Sequence, residues 1–183
     1  LPYFKKSEDF QFGENEFHGS GGPIKVEKIR ATFKVLDLFL DAAEEFGYKK
    51  TEDFNTGNNE GMGYFPLTIK NGFRCSAAVG YLNPIKKRKN LKIITNAHTK
   101  NIGFENNKAT TVNYWTNNNL TSAKANKEII LSAGTIGSPH ILQASGIGPG
   151  ELLKNNNINV IKNHPGVGRN LTDHLMLRPV YKI

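Results

Sequence analysis

The sequence predicts a mixed α/β fold, and three stretches carry that prediction. Residues Leu131 to Ile161 read as a strand end, a small-residue turn, a short helix and a second strand, the order of an α/β unit. Between Leu91 and Leu131, short β-favouring runs alternate with polar turns. Further upstream, Ile29, Phe33, Leu36, Leu40 and Ala43 recur at spacings of 4, 3, 4 and 3, which gathers them on one stripe of an amphipathic helix.

In chain order, residues 1–26 are rich in Gly and Phe, and Gly19-Ser20-Gly21-Gly22-Pro23 marks a tight irregular connection. Ile24-Lys25-Val26 alternates like a short strand, and the helix that follows stops at Gly47. Residues 51–63, with Asn55, Gly57, Asn58, Asn59, Gly61 and Gly63, form a long loop of the kind that is functional or mobile. Beyond Lys86-Lys87-Arg88-Lys89, strands are expected at Leu91 to Thr95, His98 to Phe104, Ala109 to Trp115 and Lys127 to Leu131. The turn Glu105-Asn106-Asn107-Lys108 separates two of them. A helix is expected over Ser138 to Ser145, with Ser138 as N-cap and Pro139 at the first helical position. Gly146 and Gly148 end it, Glu151 to Lys154 reads as a turn, and Ile158 to Ile161 as a strand. No internal repeat is present.

Composition excludes several classes. Apolar residues plus Gly make up roughly 45% of the chain, the ordinary globular share, so it is neither wholly disordered nor collagen-like. The formal charge is +8, but only five of the 24 cations are Arg, so the forked donor that nucleic-acid recognition favours is scarce. The Lys86 to Lys89 run therefore reads as a solvated loop. The surplus of Asn, as in Asn117 to Asn119 and Asn155 to Asn157, reads as surface drift. A single cysteine, Cys75, rules out an internal disulfide and an all-cysteine metal site. The five histidines show no metal-ligand spacing, and of them only His174 is singled out for a role beyond that of a satisfied polar side chain. No apolar run is long enough to span a bilayer. The opening Leu1-Pro2-Tyr3-Phe4 reads as internal text, so the chain is expected to be a fragment. Asn119-Leu120-Thr121 and Asn170-Leu171-Thr172 fit the glycosylation acceptor pattern; the first sits in a polar turn, and the second is expected to be too buried.

The stretch with most chemical content is Gly134-Thr135-Ile136-Gly137-Ser138-Pro139-His140-Ile141-Leu142-Gln143-Ala144-Ser145-Gly146-Ile147-Gly148. A strand end without bulky side chains leads into the N–H groups of a helix start, which suits a pyrophosphate or an electron-rich ring close to the backbone. The same pattern serves as a plain structural turn. Position for position, however, it resembles the second signature of the glucose–methanol–choline oxidoreductase family. Lys127 to Gly134, Pro165-Gly166-Val167-Gly168-Arg169-Asn170-Leu171-Thr172-Asp173-His174, Leu1 to Glu8, His18 to Pro23 and Arg74-Cys75-Ser76 are similar to flanking text of that family. The resemblance covers nearly the whole chain and leans towards insect glucose dehydrogenases.

The resemblance implies FAD-dependent oxidation of an alcohol or sugar, with electrons passed to oxygen or a quinone-type acceptor. It implies part of a Rossmann-like FAD-binding domain plus part of an antiparallel-sheet substrate domain. Residues 1–85 would be the substrate-side lobe, 86–175 the FAD-domain portion, and 176–183 the start of a return strand into the substrate domain. Thr99, Ala133, Gly134, Asn170, Asp173 and His174 would face the cofactor, Thr99 standing where the family often has Val. No catalytic residue is expected within the chain: the proton-abstracting His would lie beyond Ile183 and the glycine fingerprint before Leu1. The resemblance further implies a secreted parent, with no nucleic acid, metal or membrane span. A truncated, non-catalytic binding module is the alternative reading. Lacking the diphosphate site, the 183-residue chain alone is expected to bind FAD about a thousandfold more weakly and to aggregate.

Overall fold

A computed structural model describes residues 1–180 and 182. The chain divides into two compact units, Leu1–Ile93 and Ile94–Ile183.

The first unit opens with helix α1 (Pro2–Ser7), where Pro2 uses the first-turn position at which a missing N–H costs nothing. Strand β1 (Glu8–Phe10) pairs in parallel with β2 (Ile24–Val26), bringing Glu8 beside Ile24 and Phe10 beside Val26. The Ile24 to Val26 expectation thus holds. Phe10 is buried and stacks on His18 with ring centroids 3.8 Å apart. Helix α2 (Lys34–Glu45) ends as expected ahead of Gly47, which takes φ +102°. It begins later than the stripe suggests: Phe33 is the extended N-cap, and Ile29 lies outside. Arg30 is drawn instead onto the buried Glu27 carboxylate at 2.7 Å, and Glu27 bridges to Leu67, so this stretch is spent on tertiary contacts. A hairpin joins β3 (Ile69–Lys70) to β4 (Phe73–Arg74), and a π-helical turn spans Ala78–Leu82. Residues 86–90 are exposed, a solvated loop.

Loop 51–63 carries no helix or strand but is well anchored. Thr51 N–H donates to the Met62 carbonyl and Met62 N–H to that of Lys49, each at 2.9 Å. Tyr64 O–H donates to Asp37 on α2 at 2.7 Å. Leu36, Phe39 and Leu40 of α2 face Phe54, Met62 and Phe65 across a cavity of about 320 Å³.

The second unit is built on an antiparallel meander of β5 (His98–Glu105), β6 (Lys108–Thr116) and β7 (Asn119–Lys124). Strand β7 was not anticipated, because all six of its residues are exposed and no alternation marks it. The turns before β6 and β7 place Asn106 and Asn107 at φ 49° and 63°, and Asn117 and Asn118 at 46° and 61°. Such two-residue loops match strand twist only with both residues left-handed, a conformation Asn tolerates best after Gly. Every non-glycine residue with positive φ among the described residues is Asn. Eight of the 22 Asn residues take this conformation, so part of the surplus is conformational and not surface drift alone.

Helix α3 (Gly134–Ala144) starts four residues before the expected N-cap, so Ser138 and Pro139 lie inside it. The Ser138 hydroxyl still works at the helix start, accepting the Ala133 N–H at 3.0 Å. Beyond α3, β8 (Ile147–Gly148) pairs in parallel with β9 (Lys162–Asn163). Helix α4 (Gly150–Asn155) lies between them where a turn was expected, and Leu153 is its fully buried anchor. The strand expected at Ile158 to Ile161 falls one step later. Leu91 to Thr95 and Lys127 to Leu131 have no ladder partner among the described residues. Strand propensity becomes a strand only where a neighbouring backbone supplies hydrogen bonds, and here none does. The observed class is mixed α/β, as predicted. No helix among the described residues is long and apolar enough to cross a membrane.

Candidate functional site

The start of α3 forms one wall of an open groove of about 430 Å³, a size that suits part of a small-molecule ligand. Thr135, Ile136, Pro139, His140 and Gln143 line this wall. Their spacing puts them on one helix face, and the free N–H groups of the first turn lie at its head. Gly134 takes φ +82°, and a Cβ built on it meets no atom within 4 Å. The turn needs glycine for its backbone angle, and open space lies beside the main chain.

The facing wall is Gly168, Arg169, Asn170, Leu171 and Thr172. Gln143 ties the walls together, its Nε2 donating to the Val167 carbonyl at 3.1 Å. Gly168 takes φ +80°, which favours glycine, and a Cβ there would lie 2.6 Å from that nitrogen, so a side chain would displace the Gln143 amide that ties the walls. Asn170 adopts φ 57°. Arg169 brings positive charge to the side facing the helix start, an arrangement suited to an anionic ligand.

Of the residues singled out in the sequence, Asn170 lines the groove, Gly134 immediately precedes it, and Ala133 is the N-cap of α3. Asp173 and His174 follow the loop as exposed residues, the His174 N–H donating to Asp173 Oδ1 at 2.8 Å. Thr99 stands apart on β5, half-buried and paired with Tyr114, and is not among the groove's lining residues. Sequence reasoning passed over His140 and Gln143 because they occupy free positions of the signature; helical spacing from Ile136 would have found them. The second half of the signature is architectural. Ser145, buried, accepts the Ile102 N–H at 2.8 Å and so fastens α3 to β5. Gly146, at φ +86°, passes so close to Asn159 that a Cβ would sit 2.4 Å from its carbonyl oxygen.

A second polar cluster lies in the first unit. His18, 2% exposed, places Nδ1 3.0 Å from Glu8 and Nε2 2.7 Å from Asp53. It clamps loop 51–63 to β1, whereas the sequence suggested only an isolated polar histidine. No group of side chains among the described residues is arranged to hold a metal ion.

A small-residue helix start opposite an Arg- and Asn-bearing loop, within a mixed α/β fold, is the kind of site that suits a nucleotide-like, anionic group. The chain belongs to the GMC oxidoreductase family, whose model matches residues 1–176. It is 42% identical over 177 residues to an oxygen-dependent choline dehydrogenase of Pectobacterium atrosepticum, covering 96% of this chain and 32% of that protein. A Proteus mirabilis protein of the same name is 43% identical over 186 residues, covering 100% of this chain and 34% of the relative. Among solved structures, pyridoxine 4-oxidase from Mesorbium loti superposes with a TM-score of 0.84 at 29% identity, covering 90% of this chain and 33% of that one. A FAD-dependent oxidoreductase from Chaetomium thermophilum gives 0.84 at 32% identity, covering 94% and 32%. The chain thus spans about a third of the length of these relatives. FAD is the cofactor of the family, and the groove fits part of it: a glycine-opened helix start and a cation face one concave surface. The relatives named here are choline dehydrogenases, so the family expectation stands while the glucose-dehydrogenase leaning does not follow from them.

Proposed function

We propose that this chain is the cofactor-facing middle of a FAD-dependent oxidoreductase that oxidises the CH–OH group of a small alcohol or sugar. The observation that carries the reading is the groove between the α3 start and the Gly168 to Thr172 loop. Bound FAD supplies a two-electron acceptor for the hydride of the substrate carbon. The main chain at Ala133 and Gly134, with Asn170, Asp173, His174 and the backbone of Thr99, holds and orients it. Residues 86–175 form the cofactor side and 1–85 the substrate side; of the stretch 176–183, residues 176–180 and 182 carry no strand, and the rest lies outside the described residues. The proton-abstracting base comes from outside residues 1–183. A choline-like alcohol is supported by the names of the relatives, and glucose by the signature and flanking text. Oxygen or a quinone takes the electrons onward. Secretion of the parent goes with the glucose-dehydrogenase-like reading.

The test is anaerobic mixing of the purified whole protein with choline, glucose or a simple primary alcohol while following the flavin absorption band. Bleaching by one of the three supports the reading and names the substrate class. A protein that purifies without flavin overturns it. Retained flavin that none of them reduces favours a non-catalytic binding module. Replacing Gly134 with Val adds a measure independent of turnover: flavin retention falls because the side chain fills the space beside the backbone.

A further inference from the structure

The two acceptor sequons occupy different environments, and the contrast separates them. We propose that Asn119 is the N-glycan acceptor of this chain and that Asn170 is left unmodified. Asn119 opens β7, the outer strand of the meander, and every residue of that strand is exposed. Asn119 pairs with Thr116 and Thr121 with Tyr114, so the acceptor amide and the sequon hydroxyl project from the same face of an extended strand.

The chemistry needs one co-reactant, a lipid-diphosphate-linked oligosaccharide. Asn119 Nδ2 forms a bond to the anomeric carbon, the anomeric C–O bond breaks, the lipid diphosphate leaves with the electron pair, and one amide proton is released. No electron changes hands. The remaining amide hydrogen can keep the bond from Nδ2 to the Asn117 carbonyl, 3.3 Å away, so the attached sugar leaves the turn intact. A glycan here also shields the unpaired edge of β7, where the backbone would otherwise offer a template for another strand.

Asn170, Leu171 and Thr172 meet the same sequence pattern and are also exposed, which corrects the expectation of burial; what sets Asn170 apart is its place at the groove. It lies on the groove wall beside Arg169 and Leu171 and holds φ 57°. A branched oligosaccharide there would fill the groove of about 430 Å³ and exclude the cofactor. This arm rests on the cofactor reading above; the Asn119 arm rests on the secretion of the parent proposed there.

The whole protein, expressed from its complete coding sequence in cultured insect cells, is compared before and after digestion with peptide-N-glycosidase, alongside Asn119→Gln and Asn170→Gln. The expected result is a mobility shift that is smaller by one glycan in Asn119→Gln and the same as wild type in Asn170→Gln. The digested peptide then carries an aspartate at the acceptor position. An unshifted wild-type protein overturns the proposal, as does a shift of full size in Asn119→Gln or one reduced by a glycan in Asn170→Gln. Asn119→Gln leaves flavin content unchanged. A glycosylated but colourless protein would defeat the oxidoreductase reading and leave the acceptor standing.

Discussion

Ser145 offers the sharpest test of how the signature is divided between groove and scaffold. Its hydroxyl is 5% exposed and accepts the N–H of Ile102, itself 7% exposed, at 2.8 Å. The hydroxyl also donates back to the Ile141 carbonyl one turn earlier. That second bond is expendable, because helix C-termini leave carbonyls that water or neighbouring N–H groups satisfy. The first is not. Ser145→Ala leaves a buried backbone donor without a partner, at a cost of about 1–3 kcal/mol. Since that donor sits in the central stretch of β5, the loss appears as easier local opening at the β5–α3 junction. Exchange of the Ile102 amide should therefore speed up by about 5- to 150-fold, each factor of ten corresponding to about 1.4 kcal/mol. Hydrogen-exchange mass spectrometry on the whole protein reads this directly. Ser138→Ala is the control: it removes the acceptor of the Ala133 N–H, an exposed site where water can substitute, and should leave Ile102 unaffected. Unchanged Ile102 exchange in Ser145→Ala would refute the assignment of this serine as a fastener.

Three further outcomes follow from the same geometry. Gly146→Ala should cost about 2–5 kcal/mol, combining left-handed strain with a backbone clash, while Gly134→Ala, with open space around it, should cost only about 1–2; denaturant midpoints compare them. His18→Ala leaves the Glu8 and Asp53 carboxylates without their shared partner and should destabilise the first unit by about 1–3 kcal/mol. Limited proteolysis should then cut within 51–63 far faster than in wild type, and equal cutting would remove the clamp role. Asp9 accepts the Gly21 N–H and pairs with Lys25, which together hold its carboxyl below the usual value near 3.8. Its contribution is present above that value and fades as pH falls through the lower folded value, so wild type should lose stability over this acid range and Asp9→Asn should lose less.

The exposed apolar surface bears on how the 183-residue chain behaves alone. It exposes 14878 Å², whereas two separate compact bodies of half its mass would expose about 10,600 Å² together. Phe4, Phe46, Phe73 and Ile130 are each more than three-quarters exposed. Such surface favours association, and the expected weak FAD binding and aggregation of the isolated chain are best read by static light scattering with added FAD.

Much of the local structure was legible because it depends on neighbours in sequence. The 3.6-residue stripe located α2, alternation located β2, β-favouring runs between polar turns located β5 and β6, and Gly47 stopped its helix because its φ is one that a side chain resists. The presence of α3 was legible from its small residues and Pro139, but its start was not: it lies four residues before the expected cap at Ser138. What the sequence could not reveal was anything that needs a partner distant along the chain. Leu91 to Thr95 and Lys127 to Leu131 have strand propensity, yet only a neighbouring backbone converts that into a ladder. β7 exists because β6 lies beside it, despite carrying no buried residue. His18 became a clamp only when folding brought Asp53, 35 residues away, to its Nε2. Sequence alone determined the family, the mixed α/β class and the Gly134 turn, since these rest on local backbone preference and residue pattern. Tertiary structure alone decided that Gln143 and Gly168 close the groove, that Ser145 fastens rather than binds, and that Thr99 stands apart from it. Those roles depend on distances between segments, which residue order does not encode one pair at a time.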